Sequence, residues 1–99
     1  MKVAVLLFEN FETLDVFGPV EIFGIIPEHY QVSFYSLTGG VVKNAHGVST
    51  ITQNLTSVEN AVDIFLIPGG CGTRIEVNNI LLIDEIRRIS LLSRFVLTV

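Results

Sequence analysis

Tryptophan is absent from these 99 residues, and the chain has one cysteine, one methionine and three prolines. A lone cysteine excludes an internal disulfide, and with no CxxC pair it fits a reducing compartment. Charge is scarce as well: only 16% of residues are Asp, Glu, Lys or Arg, and the six basic ones form no stripe. Nucleic-acid backbone binding by this segment is therefore not expected. No long hydrophobic run exists. The apolar run at residues 3–8 is too short for a signal-peptide core and far too short for a membrane span. His29 and His46 stand alone, with no partner at metal-ligand spacing, so no metal and no other cofactor is expected. GxSxG, GxGxxG and GxxxxGK[ST] are all missing.

What is present is apolar. Hydrophobic residues make up 49% of the chain, and mean hydropathy is +0.60 with a net charge of −4. Such a composition opposes disorder and fits one domain, or part of one. It is high for a small soluble domain, so part of the apolar surface is expected to meet something outside these residues. The sequon Asn54-Leu55-Thr56 has no secretory signal to give it meaning, and a cytoplasmic location is expected.

Periodicity predicts alternating strands and helices. Residues 3–8 and 63–67 read as strands buried on both faces. Residues 14–26 carry apolar side chains at near-helical spacing and stop at Pro27, with Pro19 in or near the first turn. Residues 30–37 alternate as a strand. Residues 41–42 and 48–52 flank a hairpin turn. A helical turn is expected at 57–61, and a helix at 80–92 with Asp84 and Arg88 paired on its wet side. Residues 95–99 form a last apolar strand. This order predicts an α/β fold with a mostly parallel sheet.

Doubly wound sheets place their sites at the carboxyl ends of strands. Val99 falls at such an end, with no returning helix after it. The expectation is a fragment, or a fold completed by a second polypeptide.

Three groups near those strand ends are chemically suggestive. Pro68-Gly69-Gly70-Cys71-Gly72 follows a strand directly, and its glycines admit close backbone approach by a ligand. The loop fits either a plain strand-to-helix turn or a donor of backbone N–H to a developing oxyanion. Asp15 opens the first helix, either as its N-cap or as a general acid or base. Cys71 is read as a bystander lining the pocket beside Gly69, and Glu21 as a solvated or dimer-facing carboxylate.

Leu6-Leu7-Phe8 and the run Glu12-Thr13-Leu14-Asp15-Val16-Phe17-Gly18-Pro19-Val20-Glu21-Ile22-Phe23, with Ile67-Pro68-Gly69-Gly70-Cys71-Gly72-Thr73-Arg74, resemble the ThiJ/PfpI superfamily. This is the class I glutamine-amidotransferase-like group, and the branch of isocyanide hydratases and intracellular protease/amidases is the most similar. The resemblance implies a flavodoxin-like three-layer sandwich, with residues 1–99 as the N-terminal half of one domain. It implies a cysteine-dependent hydratase or amidase acting on a small molecule, with the nucleophilic cysteine just after Val99. It gives Asp15 the role of the acidic residue that hydrogen-bonds the thiol. Gly70 becomes the glycine whose N–H helps form the oxyanion hole, and Cys71 falls at a variable position. It also implies a homodimer. The alternative it allows is the ligand-sensing domain of an AraC-type transcriptional regulator.

Overall fold

A computed structural model describes residues 1–70, 76 and 78–99. The elements run β1 (Lys2–Leu6), α1 (Thr13–Gly24), β2 (Gln31–Ser36), β3 (Gly40–Lys43), β4 (Ser49–Asn54), a 3₁₀ turn (Leu55–Ser57), β5 (Val62–Ile67), α2 (Ile80–Leu92) and β6 (Ser93–Thr98). The strands form one sheet in the order β3-β4-β2-β1-β5-β6. Every pairing is parallel except β3 with β4. This is the mostly parallel α/β architecture of a flavodoxin-like fold.

The apolar strands take the centre because they can be covered on both faces. In β1, Val3, Ala4, Val5 and Leu6 are all buried. Parallel register puts Val5, Phe34 and Leu66 on one face of the sheet. α1 covers that face: Phe17 lies 6.2 Å from Phe34 and 6.2 Å from Phe11, ring centre to ring centre. Ile67 points to the opposite face, where it lines an apolar cavity with Ile83 and Ile86 of α2. The helices therefore sit on the two sides of the sheet. Fully buried Leu6, Leu7, Phe11, Val16, Phe65, Leu66 and Ile89 make up much of the core.

Several expectations change in detail. The N-cap of α1 is Glu12, without a side-chain cap bond, so Asp15 is not the cap but the third helical residue. Pro19 consequently lies inside the helix, where its missing N–H leaves no i→i−4 bond to the Asp15 carbonyl. Gly18 before it has no Cβ to crowd the proline ring. The helical turn falls at Leu55–Ser57 rather than 57–61, because Asn54 accepts from Thr56 N–H and caps it there.

The pair on α2 is also different. Arg88 bonds Glu85 at 2.6 Å, not Asp84, because its guanidinium turns toward the 3₁₀ turn and reaches the Leu55 and Val58 carbonyls. Asp84 is exposed.

β6 departs most from expectation. It is not a buried core strand but the edge of the described sheet. Phe95 is 51% exposed on one face and Val96 42% exposed on the other. Its apolar sequence fits a central strand, yet among the described residues it pairs with β5 alone. β6 also starts without a loop: Ser93 is both the C-cap of α2 and the first strand residue, its hydroxyl donating to the Ile89 carbonyl at 2.6 Å.

Arg88 ties α2 to the turn that feeds β5. Arg88→Ala is expected to cost about 1–3 kcal/mol in urea unfolding, since two carbonyls lose a charged donor. Asp84→Asn should leave the unfolding midpoint where it is.

Candidate active site

β1 is the point where the chain changes direction across the sheet. α1 carries it to β2 on one side, and β5 returns it to the other. In open α/β sheets ligands bind in the crevice at the carboxyl ends of the strands that flank such a point. Here that crevice lies between the segment after β1 and the segment after β5.

The two segments are latched by reciprocal hydrogen bonds. Glu12 N–H donates to the Gly69 carbonyl at 3.0 Å. Gly69 N–H donates to Asp15 Oδ2, also at 3.0 Å. Asp15 is half-buried, and its carboxyl is thus spent on the β5 loop rather than on capping its own helix. This is the carboxylate singled out from the sequence, and Gly69 is its immediate partner.

Gly70 has φ +127 and bridges Phe11 in antiparallel fashion. A Cβ there would lie 2.6 Å from Glu12 N and 2.7 Å from the Asn10 carbonyl oxygen. Both contacts are backbone, so neither can give way cheaply. The Gly-Gly pair is required by the close approach of the two loops, whatever else it does.

Gly69 sits at a tight point where even a methyl group would be crowded. A Cβ built on it would be 3.1 Å from Asp15 Oδ2 and 3.1 Å from the Val99 carbonyl oxygen. Val99 N–H donates to the Ile67 carbonyl at 3.2 Å, so the chain continues alongside β5 as far as this point. Asp15, Gly69, Gly70 and the end of β6 are therefore brought together. Cys71 lies outside the described residues. Glu21, His29 and His46 are exposed, and no group of three or more His, Cys, Asp or Glu that could hold a metal occurs among the described residues.

Sequence reasoning passed over Asn44, in the β3–β4 turn. It is 2% exposed. Its Oδ1 accepts from His46 N–H at 2.9 Å and Val48 N–H at 2.8 Å, and its Nδ2 donates to Thr13 Oγ1 at 2.8 Å. An asparagine two residues before a hydrogen-bonded turn N–H was the available signal. Its long-range bond to Thr13 had none.

Fold and site together define a doubly wound α/β domain with a carboxylate and a Gly-Gly turn facing each other across its strand-order switch. The chain belongs to the DJ-1/PfpI family, whose model matches residues 1–95. Among solved structures, it is similar to a ThiJ/PfpI family protein from Pseudomonas syringae, with a TM-score of 0.89 at 15% identity. That match covers 98% of this chain and 40% of the other. A DJ-1 superfamily protein from Salmonella typhimurium matches with a TM-score of 0.80 at 20% identity, covering 98% of this chain and 54% of the other. An AraC family transcriptional regulator from Pseudomonas putida matches at 0.60 and 17% identity, covering 70% of this chain and 40% of the other. The chain thus spans about half or less of the length of these structures. Comparison with curated proteins finds no match. No helix among the described residues is long and apolar enough to cross a membrane.

The contrast between two glycines checks the close approach. Gly40 has φ +79 with nothing within 4 Å of a built Cβ. Gly40→Ala is expected to cost about 1–2 kcal/mol from backbone strain alone. Gly70→Ala, strained and blocked by backbone, should cost at least about 1 kcal/mol more in the same unfolding measurement.

Proposed function

We propose that residues 1–99 are the N-terminal half of a cysteine-dependent hydratase or hydrolase for a small molecule, an isocyanide hydratase or amidase in type. The nucleophilic cysteine follows Val99 in the whole protein. The observation that carries this reading is the close approach at Gly69, where a Cβ would lie 3.1 Å from both Asp15 Oδ2 and the Val99 carbonyl oxygen at the mouth of the sheet. In this reading the residue after Val99 enters the crevice within reach of that carboxyl.

In this reading the thiolate sulfur bonds to the substrate's electrophilic carbon. The Asp15 carboxyl takes the thiol proton and hands it to the carbon of an isocyanide, or to the nitrogen of an amide whose C–N bond then breaks to release the amine, a role worth about 10²–10⁴-fold in rate. The Gly70 N–H stabilises negative charge on the attacked group, and loss of such a donor costs about 2.7–4 kcal/mol of barrier. Water then cleaves the sulfur–carbon bond and returns the thiol. Gly69 holds the β5 loop against Asp15 in the substrate pocket, and Cys71 takes no part in the reaction. No cofactor takes part. The protein works in the cytoplasm as a homodimer, which size exclusion with light scattering at micromolar concentration tests; a monomer there overturns the dimer.

A second reading is the ligand-sensing domain of an AraC-type regulator, favoured by the fold shared with the Pseudomonas putida protein. Its pocket would bind a small molecule without turning it over.

Turnover of isocyanide and amide substrates by the whole protein separates the two. Asp15→Asn is expected to lower turnover about 100-fold or more with an unchanged unfolding midpoint, and Cys71→Ser to stay within about two-fold. Full activity in Asp15→Asn removes the acid–base role. Complete loss in Cys71→Ser moves the nucleophile to that residue. A wild-type protein that binds but does not turn over favours the sensor.

A further inference from the structure

The β3–β4 turn lies two strands away from the crevice, yet the chain connects them through one buried side chain. Asn44 uses its Oδ1 to close its own turn, on His46 and Val48 N–H, and its Nδ2 to hold Thr13 Oγ1. Thr13 is the first residue of α1, and Asp15 the third. The backbone around Asn44 fastens the same region. Asn10 N–H donates to the Lys43 carbonyl and Ala45 N–H to the Phe11 carbonyl, each at 2.9 Å, and Phe11 bridges Asn44 on one side and Gly70 on the other.

We infer that Asn44 is a positioning residue: acting through Thr13, it sets where the first turn of α1 holds the Asp15 carboxyl against Gly69. The physical reason is the weakness of that helix end. Glu12 supplies no side-chain cap, and Pro19 takes away the bond that would steady the Asp15 carbonyl. A helix start so weakly capped needs outside anchors, and the Asn44–Thr13 bond is one that acts on its first residue, two before Asp15. An amide held by both ends in a buried site has few alternative rotamers. The hairpin therefore acts as a strut, and the carboxyl is oriented from the far edge of the sheet.

The significance for chemistry rests on the proposed role of Asp15, but the test does not. Gly69 N–H reports directly on the Asp15 carboxyl, so its hydrogen exchange and chemical shift in isotopically labelled protein read the position of that group. Asp15→Ala sets the fully released value. Thr13→Val removes the acceptor of Asn44 Nδ2 and keeps the side chain's shape. It is expected to speed Gly69 exchange about ten-fold or more, while the His46 and Val48 amides stay as in wild type. Thr13→Ser, which keeps the hydroxyl, should restore Gly69 to within about two-fold. Asn44→Ala should release Gly69, His46 and Val48 together. Gly69 exchange within two-fold of wild type in Thr13→Val overturns the inference, as does an equal release in Thr13→Ser. Turnover by Asp15→Asn judges the catalytic role of the carboxyl separately.

Discussion

The structure depends on two reciprocal hydrogen bonds between the loop after β1 and the loop after β5. Glu12 N–H to the Gly69 carbonyl and Gly69 N–H to Asp15 Oδ2 close the crevice at the strand-order switch. Both need the close approach of the two loops, and Gly70, with no Cβ, is the residue that permits it. This latch places the Asp15 carboxyl and the glycine turn. The carboxyl faces the glycine turn, the glycine turn runs beside the end of β6, and α1 starts where the latch ends.

Much of this was legible in the sequence, for definite physical reasons. The runs at 3–8 and 63–67 read as doubly buried strands because, Asp63 apart, they are wholly apolar, and they form β1, which stops at Leu6, and its neighbour β5. The helix at 80–92 has the observed bounds, since Asn79 caps it and Ser93 ends it. Asp15 and the Gly-Gly pair stood out as residue types with chemical uses, and the fold brings them into contact.

The remainder depended on tertiary placement. A carboxylate near a helix start reads as a cap, and only the return of β5 shows that its oxygen goes elsewhere. Arg88 has acidic residues both three and four positions before it, and the choice of Glu85 follows from the 3₁₀ turn that attracts the guanidinium. Asn44 went unread, because nothing in local spacing shows that its amide nitrogen crosses to Thr13. β6 reads as a core strand from composition, and its exposure follows from which strands stand beside it.

The junction between α2 and β6 has a consequence for evolution and for engineering. Because Ser93 ends the helix and begins the strand at once, no loop exists to absorb a change in length. Each residue added to or taken from the junction moves β6 by about 3.3 Å along β5 and turns its side chains to the other face. α2 thus behaves as a ruler: its number of turns, counted from the Asn79 cap, decides which residue of the chain arrives beside Asp15.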